Sequence, residues 1–336
     1  MIRAIRKFIG LIIVLAIFFG LGAFVYTRDF SGQADTSFGV TFSNKYAEEL
    51  ELDWQATYLA ILDELKVKKL RLIAYWDEIE AEQDAFDFSR LDWQVSEAAN
   101  RGAEISLVVG RRAPRWPECH DPDWLARLAP LAVQRQQLEF IKEAITRYKD
   151  NLAIKTWQVE NEPLFNGFGE CPNADKDFLK QEVDLVRSLD PGRPIIITDS
   201  GELSHWQAAA SLGDILGVTL YRIVWNETIG FWDYFFIPPA GYRYKADLTK
   251  SLHKELDKVI VTEMQMEPWS FDRKMVNVSY EDQQKSFNLK RFRDNIDYVQ
   301  RAGFDEVYLW GVEYWYWLNK QGYTEIWEEA KSIWKN

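Results

Sequence analysis

Eight short apolar runs, each followed by a loop and then by a helix-period segment, limit this chain more than any other feature. They are SFGVTF (37–42), KKLRLIAYW (68–76), EISLVV (104–109), IKTWQV (154–159), PIIIT (194–198), ILGVTLY (215–221), KVIVTE (258–263) and EVYLW (306–310). Each is nearly continuous in Val, Ile, Leu and aromatics, as strands covered on both faces are. Amphipathic stretches lie between them, among them DWQATYLAILDELKV (53–67), SRLDWQVSEAANRG (89–102), QRQQLEFIKEAITRYKD (134–150) and SYEDQQKSFNLKRFRDNIDYVQRAG (279–303), with TEIWEEAKSIWKN as a terminal helix. Ser89 with Asp92, and Ser279 with Asp282, have capping-box spacing; Gly102 and Gly303 stand where helices end. Eight strand–helix repeats predict a parallel sheet with helices outside, and eight strands close a (β/α)8 TIM barrel of typically ~250 residues. A doubly wound open sheet is the alternative. No G-x-G-x-x-G or G-x-x-x-x-G-K-[ST] motif follows any run, so nucleotide binding gains no support.

The N-terminus is a separate object. Arg3, Arg6 and Lys7 precede a charge-free run from Phe8 to Tyr26. As a helix that run spans about 28 Å, close to the ~30 Å hydrocarbon thickness of a bilayer. The expected organisation is a cytoplasmic stub and transmembrane signal anchor (1–27), a polar linker (28–36) and one catalytic barrel (37–336). The basic flank predicts a single-pass membrane protein with the barrel on the extracytoplasmic side. A cleaved signal peptide is the competing reading.

Function in a barrel gathers where strands end. Arg71 lies inside the second run, which ends in Trp76. GRRAPRWP, with Arg111, Arg112 and Trp116, follows the third. Glu160, Asn161 and Glu162 follow the fourth, and Tyr221 ends the sixth. The seventh ends in Glu263, with Glu267 and Trp269 close behind, and the eighth in Trp310 and Glu313. Acids and aromatic rings converging on one rim suit a polyhydroxylated substrate. Glycoside hydrolysis needs two carboxylates on opposite sides of a bond, and strands four and seven lie roughly across a barrel from each other. Glu267 remains a rival for Glu263, and Glu160 reads equally as a substrate ligand or a strand-end salt-bridge partner. Trp76, Trp116 and Trp269 read equally as sugar platforms or packing. For Glu313 a structural hydrogen bond competes with substrate binding.

Asn161-Glu162-Pro163 after an apolar strand resembles the Asn-Glu-Pro signature of the retaining (β/α)8 glycoside hydrolases of clan A, which includes family 5. The resemblance implies that Glu162 is the acid/base and that Glu263, at the end of VIVTE, is the nucleophile. It also implies that Arg71 supports the nucleophile and that Tyr221 touches it. Asn161 would hold the sugar 2-hydroxyl, and Trp310 would floor a subsite. GRRAPRWP is similar to loops of clan A beta-galactosidases.

The expected function is a membrane-anchored retaining O-glycosidase acting on beta-linked oligo- or polysaccharide by double displacement, with the two carboxyl groups ~5–5.5 Å apart. A catalytically inactive, membrane-tethered carbohydrate-binding barrel is the second reading. The net charge of -12 leaves no basic stripe for nucleic acid. Three His, none at ligand spacing, give a metal site little to build on, and no cofactor is expected. The chain is read as monomeric. Cys119 follows strand three and Cys171 strand four, so their loops adjoin in a barrel and a disulfide is feasible; two unpaired thiols are the alternative.

Overall fold

The computed structural model describes residues 2–33, 35–173, 175–269, 272 and 274–335. Met1, Ala34 and Asn336, which fall in the spans expected for anchor, linker and barrel, lie outside them. Eight parallel strands close into a TIM barrel: β1 (Ser37–Thr41), β2 (Lys69–Ile73), β3 (Glu104–Val109), β4 (Ile154–Val159), β5 (Ile195–Asp199), β6 (Ile215–Leu220), β7 (Lys258–Gln265) and β8 (Glu306–Trp310). They pair in chain order, and β1 closes on β8 from Ser37↔Glu306 to Thr41↔Trp310. The open-sheet alternative is thereby excluded. Each strand turns one row of side chains toward the helices, where the large apolar core lies. Val40, Leu70, Leu72, Leu107, Trp157, Val159, Ile197, Val218, Val261 and Leu309 are all buried there.

One irregularity matters for the site. Val218 pairs with Val261, but Thr219 pairs with Glu263. On the other side Val307 pairs with Val261 and Leu309 with Met264. β7 thus carries one extra residue between Val261 and Met264. Strand alternation would turn Glu263 outward if Thr262 faces the barrel interior. The bulge lets both face inward and returns Met264 to the outer core.

Caps begin several helices. Asp53 accepts from the Gln55 and Ala56 N–H groups, and Asp175 from those of Asp177 and Phe178. Ser279 caps its helix as expected, and Gly303 ends one in the left-handed region, φ 71°. Two expectations need correction. The helix at 89 does not use Ser89 as its cap: Asp87 accepts from the Ser89 N–H, and Asp92 is taken by Arg147 and Tyr148. The stretch 279–303 is two helices, Tyr280–Ser286 and Leu289–Ala302. Phe287 leaves helical geometry to bury its ring, and Asn288 caps the second helix on the Arg291 N–H.

The helix Ile2–Thr27 contains one stretch, Ile9–Thr27, long and apolar enough to cross a membrane, and none of it is buried. An antiparallel hairpin, Ile223–Asn226 with Gly230–Asp233, follows β6 and has no counterpart elsewhere among the described residues.

Candidate active site

Arg71 organises the barrel floor. It is fully buried in β2, where a guanidinium needs partners. Nε donates to Gln158 (2.8 Å), one terminal nitrogen to Asn161 (2.7 Å) and the other to Glu263 Oε1 (2.9 Å). The second Glu263 oxygen accepts from the Tyr221 hydroxyl at 2.9 Å. Burial first, then the Glu263 charge, push the Tyr221 phenol well above its ordinary range, so it remains a donor.

Glu162 stands at the end of β4. Its N–H donates to Thr198 Oγ1 (2.7 Å), and Thr219 Oγ1 donates to its Oε1 (3.2 Å). Thr219 is also the register partner of Glu263, so one β6 side chain stands between the carboxyl group from β4 and the one from β7. Burial pushes the Glu162 carboxyl well above the usual carboxylate range, and the charges of Glu118 and Glu263 add to this.

Glu118 is the residue that sequence reading missed. It comes from the loop after β3, is buried, and accepts from Arg112 Nε (2.7 Å) and from Asn161 Nδ2 (3.4 Å). Burial raises it to about 7 against the pull of Arg112. The site therefore holds three carboxyl groups. Cys119, beside it, is bonded to Cys171, with Cα atoms 5.3 Å apart. The bond ties the β3 loop to the β4 loop, so unpaired thiols are excluded. The one available signal was the position of Glu118 next to a cysteine.

Three expected substrate ligands are structural. Glu160 takes the N–H groups of Arg111 and Arg112, each at 2.6 Å, and Gln137 at 2.8 Å, so it pins the β3 loop to β4. A Cβ at Gly110, φ 118°, would meet its Oε1 at 2.2 Å, so only glycine fits under it. Trp76 lies in the core, stacked on Phe140 at 5.4 Å and donating to Glu80 at 2.7 Å. Its position opens a short helix, Trp76–Ile79, that turns the ring away from the barrel mouth. Glu313 is fully buried between the Ser43 N–H and Arg115.

Trp310 and Trp116 remain on the rim. Trp310 is covered: the Arg115 guanidinium lies 4.0 Å from its ring and 3.6 Å from that of Tyr46, while pairing with Glu267 and Glu313. Glu267 is thus a partner of Arg115, whereas Glu263 is the partner of Arg71. Trp116 meets Phe168 edge-on at 5.3 Å. Phe168 leans on Trp269 at 5.7 Å, and Trp269 on Tyr221 at 5.3 Å. These four rings form one flank that ends at Glu263. Among the described residues no group of three or more His, Cys, Asp or Glu could hold a metal ion.

With this geometry in view, the sequence model described as Glycosyl hydrolase family 10 matches residues 73–332. The chain belongs to glycosyl hydrolase family 10. Membership places it in the clan whose signature Asn161-Glu162-Pro163 resembles. Among curated relatives, Beta-galactosidase LacZ of Lactobacillus acidophilus is 27% identical over 165 residues, 43% of this chain and 24% of that protein. Beta-galactosidase BgaA of Clostridium cellulovorans is 28% identical over 182 residues, 46% of this chain and 26% of that one. The match thus spans about a quarter of each relative's length. Among solved structures, a GH5_18 protein of Streptomyces cattleya in complex with GlcNAc superposes with TM-score 0.60 at 14% identity, over 82% of this chain and 70% of that one. Xylanase 10B of Thermotoga petrophila, in complex with xylobiose, gives 0.53 at 14% identity over 84% of each chain. At these identities the superpositions speak for the fold of this family 10 chain alone.

Proposed function

We propose that the chain is a retaining glycoside hydrolase in which Glu162 is the acid/base and Glu263 the nucleophile. The observation that carries this reading is the unequal treatment of two carboxyl groups that come from the ends of β4 and β7. Glu263 is ion-paired to Arg71 and takes the Tyr221 hydroxyl. Glu162 is buried beside two further acids, Glu118 and Glu263, which favours its protonated form. In the first step Glu162 protonates the leaving oxygen while Glu263 attacks the anomeric carbon. In the second, Glu162 as carboxylate takes a proton from water, which attacks the same carbon and frees Glu263. Asn161, held by Arg71, presents its amide to the sugar, and the flank of Trp116, Phe168, Trp269 and Tyr221 offers rings for sugar faces. Trp310 serves as a floor where Arg115 leaves it open.

The substrate is a beta-linked oligo- or polysaccharide, a reading supported by the xylanase and beta-galactosidase relatives. The chain is divided as anchor 1–27, linker 28–36 and barrel 37–336, and it acts as a monomer at the cell membrane with the barrel on the extracytoplasmic side. The unburied apolar stretch Ile9–Thr27 behind a basic flank supports this placement. Incubation with 2-deoxy-2-fluoro beta-glycosides, followed by peptide mass mapping, tests the chemistry. Label on Glu263 is expected, together with loss of turnover on a panel of aryl beta-glycosides in Glu162→Ala and Glu263→Ala. Tight glycan binding with no label and no turnover would instead favour a binding barrel.

A further inference from the structure

The hairpin after β6 and the turn that leads to Pro238 depart from the strand-and-helix repeat. They begin beside Tyr221, whose hydroxyl touches Glu263, so they stand on the rim of the site itself. Their base is polar and fixed. Gln265 accepts from the N–H groups of Arg222 (2.8 Å) and Ile223 (3.0 Å) and donates to the Ile223 carbonyl (2.8 Å). Arg222 donates to the Tyr234 carbonyl at 3.0 Å, and Arg291 pairs with Asp233 at 2.9 Å. The hairpin turn at 226–228 is polar, but beside and after it apolar side chains stand open: Ile229, Trp232, Phe235 and Phe236 are 56%, 42%, 66% and 51% exposed. A well-anchored loop that shows three aromatic rings and an isoleucine to water marks a surface that meets something.

The N-terminal helix indicates what it meets. Tyr26, in the last turn of Ile2–Thr27, donates its hydroxyl to the Phe235 carbonyl at 3.0 Å. Four residues later Phe30 is buried, edge-on to Tyr244 at 5.6 Å, with its N–H on the Arg301 carbonyl at 3.0 Å. Arg301 ends the helix that leads into the start of β8, so Phe30 is held toward the end of the barrel where strands begin. Tyr26 is held at the end where they finish. From Phe30 to Tyr26 the chain rises toward the rim, and the apolar stretch continues on the N-terminal side of Tyr26. Aromatic residues beside the end of a membrane-length helix have the composition of the bilayer–water interface.

We propose that the loop from Ile223 to Pro238 is a second membrane contact, with Ile229, Trp232, Phe235 and Phe236 resting in the interface of a lipid bilayer beside the anchor. This contact turns the barrel mouth toward the membrane, and sugar carried at the bilayer surface is then the substrate class. The inference rests on the membrane anchor and the glycosidase chemistry proposed above.

The test uses the full chain reconstituted in phosphatidylcholine vesicles whose acyl chains are brominated at shallow or deep positions. Subtracting the emission of Trp232→Phe isolates Trp232. Its emission is expected to be quenched by shallow bromines more than by deep ones. The fastest aryl beta-glycoside of the panel is then supplied either free in solution or coupled to a phospholipid headgroup in the same vesicles. Replacing Ile229, Trp232, Phe235 and Phe236 together by Ser should leave the free glycoside turned over at the parent rate, which shows that the barrel is folded. The same variant should lose about fivefold or more on the lipid-borne glycoside, because the interfacial contact no longer holds the mouth at the surface. An unquenched Trp232, or equal loss on both forms of substrate, overturns the proposal. Flotation separates the two failures: vesicles that carry the chain with Trp232 unquenched keep the anchor and lose the loop contact. A chain that does not float loses both.

Discussion

Arg71 and Glu263 are 2.9 Å apart inside the barrel, and neither side chain has more than 5% of its surface in contact with solvent. An ion pair this dry holds its partners in place more than it stabilises the fold, because both ions have given up water to meet. Removing one partner is a different matter, since the other charge is left buried and alone. Arg71→Ala is expected to lower stability by about 3–5 kcal/mol in urea unfolding. Arg71→Ala with Glu263→Ala should recover part of that loss, which a double-mutant cycle would read directly.

Glu118 should act on the reaction without touching the substrate. It faces Glu162 together with Glu263, Arg112 and Glu202. In Glu118→Gln one negative charge is gone while Arg112 and Asn161 keep a hydrogen-bond partner. On the proposed assignment of Glu162 as the acid, the alkaline limb of the kcat/KM profile is expected to move down by about one pH unit. The rate on the acid side of the profile should stay near that of the parent.

Stability should fall as pH rises through the mildly acidic range. Burial raises Glu118, Glu202 and Glu313 each to about 7, and raises Glu162 and Glu182 well above the usual range. Above pH ~4.3 the unfolded chain has released these protons while the folded chain still holds them, so stability drops with pH until the folded groups ionise. His120 opposes this: burial lowers it to about 4, so between there and ~6.5 the unfolded chain binds a proton that the folded one does not. Five groups outweigh one. The urea midpoint should be higher at pH 5.5 than at pH 7.5, and Glu202→Gln should flatten the difference.

Arg115 decides how much of Trp310 a substrate can reach. Arg115→Ala uncovers the ring and strands Glu267 and Glu313 without their cation. The expected result is a lower Tm, together with a changed KM across a series of oligosaccharides of increasing length. Arg115→Lys should restore much of the Tm, since a cation remains, but not the stacking on Tyr46 and Trp310.

The Cys119–Cys171 bond closes a loop of 52 residues. On the chain-entropy account, such a loop contributes about 4 kcal/mol through the unfolded state. Reduction should lower the urea midpoint accordingly, and it should also lower turnover, because Glu118 is the neighbour of Cys119.

The frame of the barrel was legible because its signal is local. Continuous apolar runs such as EISLVV and IKTWQV became β3 and β4 with unchanged ends, since burial on both faces leaves no other use for such runs. Part of the polar rim was legible too. Arg71, Asn161, Glu263 and Tyr221 meet in one hydrogen-bond network, with Glu162 close enough to feel the Glu263 charge, because strand ends of a barrel meet by construction. What stayed hidden depends on direction. Glu160 and Glu162 are two residues apart and look alike in sequence. Yet both have left-handed backbone, φ 61° and 43°, and strand alternation does not apply there. One turns to backbone N–H groups and the other to Thr219, near Glu118 and Glu263. Trp76 and Glu313 were hidden for the same reason, because each begins a short helix whose direction no run of residues announces. Glu118 lies in a loop with left-handed residues at Arg115 and at its own position, and only the folded loop brings it beside Glu162.

The stretch from Gly110 to Cys119 is tied down at every few residues: glycine under Glu160, two amides on its carboxylate, Arg115 between two rings, Glu118 beside the acid, then the bond to Cys171. Rim loops of barrels ordinarily vary freely in length. In this one, adding or deleting a single residue would throw every later tie out of phase with its partner. Relatives that keep the chemistry should therefore hold this loop to a constant length, as if it were a ninth strand, and place their insertions elsewhere on the rim.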